Sequence, residues 1–302
     1  MRLDFHTLDV FTSRPFGGNP LAVVLGADRL TTAQMQVIAR EFNLSETIFV
    51  MAPDDPANTA KVRIFFPTAE IPFAGHPTVG CAILVASQKY KPGCPFETEI
   101  RLEEQAGLVP VRVSRIGGVP RATFTAPVTP LRLDQQIPSK ALVAQALGLE
   151  TSEIGFAAHR LGLHQGGPRF LYVPLASRDA LARARVIEPH WSALTGFIGF
   201  NSAYLYAPGG DRPGTHYRAR MYAPADGIPE DPATGSATAI LASQLLVAEG
   251  LGDGTRRFVL EQGYEMGRPS DLVMEADVRG GQLAAVRVTG EAVQIMSGVL
   301  EV

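Results

Sequence analysis

Glu70-Ile71-Pro72-Phe73-Ala74-Gly75-His76 and Glu230-Asp231-Pro232-Ala233-Thr234-Gly235-Ser236 are two versions of one stretch. Glutamate, proline and glycine recur at the same offsets. Upstream, Arg63-Ile64-Phe65-Phe66-Pro67 matches Arg220-Met221-Tyr222-Ala223-Pro224. Further upstream, Glu46-Thr47-Ile48-Phe49-Val50-Met51-Ala52-Pro53 matches Asn201-Ser202-Ala203-Tyr204-Leu205-Tyr206-Ala207-Pro208. Each match alone is weak. Three in one order, at nearly equal intervals, identify an internal repeat. Two homologous lobes of α+β type follow, joined near Ala126 to Ser139, where Pro127, Pro130 and Pro138 read as a linker.

The elements around the repeat are short. Strands are predicted at Leu21–Leu25, Thr47–Met51, Val62–Phe66, Glu99–Leu102, Val109–Val113, Ala203–Tyr206 and Arg218–Tyr222. Helices are predicted at Thr31–Phe42, capped by Thr31 or Thr32, at Thr78–Ser87, Ser139–Leu147 and Asp179–Arg185, and at Ala237–Ala248, ended by Gly250. The tail from Phe258 to Val302 is strand-like, with a turn at Gly280-Gly281.

In each lobe an acidic, proline-containing turn leads through Gly75 or Gly235 into a helix of small residues. A helix start offers unpaired N–H groups and the positive end of the dipole. Two such starts suit a small anion such as a carboxylate. The plainer reading is that both glycines only make turns.

Composition narrows the function. The chain has 302 residues, room for about two domains. With 46% hydrophobic and 19% charged residues it is an ordinary globular composition, neither disordered nor a coiled coil. The net charge is −3 and the cations are scattered, which argues against nucleic acid as a partner. The longest clean apolar run, Val79 to Ala86, falls short of the ~18 residues of a membrane helix. Asp4 and His6 stand where a signal peptide would be apolar. Cys81 and Cys94 form no disulfide framework or zinc motif. A cytoplasmic protein is expected.

Several stretches resemble the PhzF family, the phenazine-biosynthesis-like proteins. They are Phe11-Thr12-Ser13-Arg14-Pro15-Phe16-Gly17-Gly18-Asn19-Pro20, Leu44-Ser45-Glu46-Thr47, Pro72-Phe73-Ala74-Gly75-His76-Pro77-Thr78, Glu230 to Ala237, and Gln262-Gly263 with Gly267-Arg268-Pro269-Ser270. The resemblance implies the diaminopimelate-epimerase-like fold. Two pseudo-symmetric lobes are expected, residues 1–127 with 290–302 and residues 128–289. Each would be a curled, mostly antiparallel sheet around a central helix, with the active-site cleft between them. It also implies a homodimer, a small carboxylate-bearing substrate and no cofactor. Racemases of this fold carry one cysteine per lobe just before the motif glycine, where this chain has Ala74 and Thr234.

The resemblance makes Glu46 the candidate acid/base, in place of a surface carboxylate. A single carboxylate can take a proton from one carbon and return it to another. Burial would raise its pKa and let it serve in both directions. The repeat partner of Glu46 is Asn201, which cannot titrate. His76, Asp231 and Ser236 are candidate substrate-binding groups, with the N–H groups of Gly75 and Gly235. Asp and Ser are also ordinary helix caps. Asn19 either orients a loop at the site or makes the turn before Pro20. Ser236 lies in no GxSxG elbow. The other histidines (His6, His159, His164, His190, His216) lack metal-ligand spacing and are read as structural. No GxGxxG follows a strand and no Walker A is present, so neither cofactor nor metal is expected.

These residues favour a cofactor-independent isomerase moving a proton within a small unsaturated or cyclic carboxylic acid. The family's best-known case acts on trans-2,3-dihydro-3-hydroxyanthranilate. The alternatives are an amino-acid epimerase or racemase of the same fold and a non-catalytic small-anion binder.

Overall fold

A computed structural model describes residues 1–302. The fold is α+β. Two compact units are present, Met1–Pro127 with Gly267–Asp271 and Arg287–Val302, and Val128–Met266 with Leu272–Val286. Relative to the expected division, Gly267–Asp271 belongs with the first unit, whose returning strand begins at Arg287.

The first unit contains β1 (Arg2–Val10), β2 (Asn19–Leu25), α1 (Thr32–Phe42), β3 (Glu46–Met51), β4 (Ala60–Phe65), β5 (Glu70–Ile71), α2 (Gly75–Lys89), β6 (Phe96–Glu104), β7 (Gly107–Arg115) and β8 (Arg121–Thr125). The second holds β9 (Leu131–Arg132), α3 (Lys140–Leu147), β10 (Gly162–Gln165), β11 (Arg169–Pro174), α4 (Arg178–Arg183), α5 (His190–Ile198), β12 (Ala203–Pro208), β13 (Tyr217–Ala223), β14 (Ile228–Asp231), α6 (Gly235–Glu249), β15 (Gly254–Gln262) and β16 (Ser270–Arg279). β17 (Gln282–Glu301) begins in the second unit and ends in the first.

In the first unit the strands close on themselves. β1 pairs antiparallel with β2, β2 parallel with β3, β3 antiparallel with β4, and β4 parallel with β6. β6, β7 and β8 form an antiparallel meander. β17 then pairs with β8 through Arg287–Glu291 and with β1 through Ala292–Glu301, which closes the ring. α2 packs against β1, β2, β3, β6, β7 and β8 and is buried along most of its length. A helix apolar all round belongs in such an interior. At Gly80 a Cβ would stand 2.5 Å from Leu21 Cδ2 and 2.7 Å from Val10 Cγ2, so only glycine admits this close approach.

The second unit repeats the order: β11 parallel to β12, β12 antiparallel to β13, β13 parallel to β15. α6 is its buried helix, and Gly250 ends it in the left-handed conformation. The repeated Arg and Glu become matching forked ion pairs. Arg63 Nε and Nη2 donate to Glu70 at 2.7 and 2.5 Å, and Arg220 Nε and Nη2 to Glu230 at 2.8 Å each. The register also corrects the sequence match by one residue. Arg63 faces Phe49 and Arg220 faces Leu205, so Ser202, not Asn201, holds the position of Glu46.

Most predicted elements are present. Thr31 caps α1 in a full capping box with Gln34, and Ser139 caps α3. The predicted linker carries the short strand β9. α5 was not predicted, although Trp191, Leu194 and Ile198 mark its buried face at helical spacing. No helix is long and apolar enough to cross a membrane.

Candidate active site

In the first unit three of the candidate side chains meet. β2 and β3 run parallel, so Asn19 and Glu46 stand at neighbouring strand beginnings. His76 enters from the first turn of α2. Its Nδ1 lies 3.3 Å from Glu46 Oε2 and 3.2 Å from Asn19 Nδ2. All three are buried, His76 at 2% exposure and Glu46 at 6%. His76 Nε2 is buried without a hydrogen-bond partner. Burial lowers the His76 pKa to about 3, against a smaller opposing effect of the Pro20 carbonyl. The imidazole is therefore neutral near pH 7, and its contact with Glu46 is not a charged pair. Glu46 faces an uncharged imidazole.

The glycine motif explains how Asn19 is held. Gly18 has a φ of 63°, and a Cβ there would collide with the Val10 carbonyl. Gly18 N–H donates to the Pro269 carbonyl at 3.0 Å. Arg268 clamps the turn, donating to the carbonyls of Gly17 and Gly18 and to Asp9 Oδ1. Asp9 in turn accepts from Phe16 N–H at 2.6 Å. The Gly17-Gly18-Asn19 and Gly267-Arg268-Pro269-Ser270 motifs are thus the two halves of one clamp. Asn19 leads out of it into the buried contact with His76.

α2 and α6 begin differently from α1, α3 and α4. Thr31, Ser139 and Ser177 cap α1, α3 and α4 by side-chain hydrogen bonds. α2 starts at Ala74 and α6 at Thr234 with no side-chain cap. Their first N–H groups, at Gly75, His76, Gly235 and Ser236, thus receive no side-chain cap, and an anion site at a helix start uses such donors.

In the second unit Asp231 is buried and accepts from Thr234 Oγ1 at 2.6 Å. Gln262 ties this turn together. Its amide donates to the Asp231 carbonyl at 2.8 Å and Thr234 Oγ1 at 2.9 Å, and accepts from Thr234 N–H at 3.1 Å. Ser236 is half-buried, with buried neighbours on both sides. Sequence reasoning assigned no role to Gln262 or Thr234, though the motif contained Gln262. It also missed Glu104. Strand alternation was the available signal, since Ile100, Leu102 and Glu104 share the buried face of β6.

Of the cysteines, Cys81 is buried inside α2 and Cys94 is exposed. Burial, with a contribution from Glu104, pushes the Cys81 thiol well above its ordinary range. No group of three or more His, Cys, Asp or Glu side chains is arranged to hold a metal.

The profile of the phenazine biosynthesis-like proteins matches residues 8–298. The chain belongs to this family. An uncharacterised isomerase of Mesorhizobium japonicum is 42% identical, over 97% of this chain and 96% of that one. A trans-2,3-dihydro-3-hydroxyanthranilate isomerase of Pseudomonas fluorescens is 37% identical, over 98% and 99%. A PhzF-family protein of Bacillus anthracis has the same fold, with a TM-score of 0.87 over both whole chains at 22% identity. With isomerases matching over its whole length, this PhzF-family chain is an isomerase.

Proposed function

We propose that the protein is a cofactor-independent isomerase in which Glu46 moves a proton between two carbons of a small unsaturated or cyclic carboxylic acid. The buried contact between Glu46 and His76 carries this reading. A carbon acid gives up its proton slowly, so a fixed base and a site sheltered from bulk water are needed. Glu46 Oε2 takes the proton, the electron pair enters the conjugated system, and the same oxygen returns the proton at a second carbon. His76, neutral, lies beside the carboxylate and offers Nε2 to a polar group of the substrate. In the first unit the uncapped start of α2 at Gly75 suits a substrate carboxylate, and in the second unit the start of α6 at Gly235, with the Ser236 hydroxyl, offers the same chemistry. Asp231, held by Thr234, suits an amine or hydroxyl.

The relatives named trans-2,3-dihydro-3-hydroxyanthranilate isomerase make that compound the first substrate to try. An epimerase has less support, because Ala74 and Thr234 stand where two thiols would be needed. A non-catalytic anion binder would leave the Glu46–His76 contact without a use. The test is proton NMR in D₂O with that substrate, for the wild type and Glu46→Gln. Isomerised product from the wild type alone supports the proposal. Equal turnover by the variant would move the base to another residue. No reaction with the wild type would remove this substrate and send the search to other carbon acids.

A further inference from the structure

We propose that Glu104 works as a neutral carboxylic acid which, through Thr78, sets the Ala74–His76 turn at the start of α2. Glu104 is a positioning residue in this account. It lies at the end of β6, is 7% exposed, and touches α2 through Thr78.

The first argument is a proton count. Thr78 Oγ1 lies 2.7 Å from the Ala74 carbonyl oxygen and 2.7 Å from Glu104 Oε1. A carbonyl oxygen only accepts, so the one hydroxyl proton of Thr78 goes to Ala74. The second short bond needs a second proton, and the Glu104 carboxyl is the group that can carry it. Glu104 then donates to Thr78, Thr78 donates to Ala74, and the residue before Gly75 is held from below.

The repeat supplies the second argument. Ala60 and Lys61 face Leu102 and Glu103, while Tyr217 and Arg218 face Leu260 and Glu261. With Arg63 matched to Arg220, Glu103 corresponds to Glu261 and Glu104 to Gln262. The preceding pair behaves alike. Glu103 accepts from the N–H groups of Asp54 and Asp55, and Glu261 from those of Asp211 and Arg212. Gln262 donates to the hydroxyl of Thr234, the residue before Gly235. A carboxylic acid and a carboxamide share one shape and one pattern of a donor beside an acceptor. The first unit has the acid where the second has the amide.

The surroundings agree. Glu104 Oε2 is buried without a hydrogen-bond partner, a poor place for a full negative charge. On α2 the titratable group that interacts with it is Cys81, with its thiol pushed up, while His76 on the same helix is kept neutral by burial. On β4, Lys61 is bound to Asp54 at 2.7 Å instead. Facing residues on β7 are Gly107, Leu108 and Val109, which do not titrate. Burial raises the Glu104 pKa to about 8, more than a hydrogen bond donated by Thr78 to the ionised form would lower it. Ionised Glu104 would draw the Thr78 proton from Ala74 and place a negative charge beneath the turn. The consequence for ligand binding rests on the reading of that turn as a carboxylate subsite.

Infrared spectra in D₂O test the proton directly. The wild type at pH 6 should show the carbonyl stretch of a buried carboxylic acid. That band should be missing from E104Q and converted to carboxylate in the wild type at pH 10. A pH 6 difference spectrum without the band overturns the proposal, as does an E104Q protein that cannot fold. The wild-type titration between pH 6 and 10 needs no variant and no substrate, so it stands if the isomerase reading fails. The second arm is the pH profile of KM. In the wild type KM should rise by up to about tenfold per pH unit above the ionisation, with kcat little changed. E104Q should be flat, and E104A should raise KM at every pH. A flat wild-type KM beside a titrating band would remove the positioning role.

Discussion

His76 Nδ1 and Glu46 Oε2 lie 3.3 Å apart in a setting that keeps the histidine uncharged. An imidazolium at that distance would stabilise the carboxylate and weaken it as a base. A neutral ring lies beside the carboxyl group without that cost. The contact therefore suits a group that must both take and return a proton.

Glu46→Gln keeps the shape and removes the base. Turnover should fall by about 10²–10⁴-fold, the usual share of a positioned acid/base. The urea midpoint should stay near that of the wild type. A large loss of stability would mean that Glu46 is a structural group.

Ser236→Ala tests the second helix start. Ser236 is half-buried, and its hydroxyl is proposed to donate to a substrate carboxylate. One charge-assisted hydrogen bond is worth about 1.5–3 kcal/mol. KM should rise by about 10–100-fold, with kcat changed less. Unaltered KM would remove Ser236 from the site.

Two of the three buried histidines, His76 and His164, predict acid sensitivity. Burial holds His76 at about 3 and His164 at about 4, below the ordinary 6.5. The folded protein thus binds fewer protons than the unfolded chain between those values. Their stabilising effect is complete above pH 6.5 and is lost as pH falls towards 4. Each contributes at most about 1.4 kcal/mol per pH unit. Glu104 acts in the opposite sense between its ordinary 4.5 and about 8, so variants must be compared. His164→Asn should reduce the acid slope of the urea midpoint relative to the wild type. An unchanged slope would count against a neutral His164.

Gly80→Ala should destabilise by about 1–3 kcal/mol, the usual cost of overfilling a packed interior. The added methyl meets Leu21 and Val10, both fully buried. Chemical denaturation measures the effect, and a neutral result would show that α2 has room to shift.

Arg63→Ala and Arg220→Ala separate two pairs that look alike in sequence. Arg63 and Glu70 are partly exposed, at 24% and 21% of their side chains. Arg220 is 9% exposed and also donates through Nη1 to the carbonyls of Leu181, Ala182 and Ala184. Loss of Arg220 strands Glu230 and three acceptors, at about 3–5 kcal/mol. Loss of Arg63 should cost about 1 kcal/mol or less. Equal losses would refute this reasoning.

Much of this protein was decided by local sequence. The repeat around Gly75 and Gly235 identified two lobes, because turn and helix-start chemistry is carried by a few adjacent residues. Thr31, Ser139 and Gly250 marked helix ends for the same reason, since a cap acts within one turn. Glu46 and His76 were each singled out by motif, but only the tertiary structure brought them together. Their contact depends on β2 running parallel to β3 and on α2 lying inside the ring, and strand register is a long-range property. Register also put Ser202, rather than Asn201, at the position of Glu46. It likewise matched Glu104 to Gln262, and burial between packed elements set the protonation of Glu104. A glutamate at the end of a charged strand carries no local sign of that, because its pKa is set by neighbours distant in sequence.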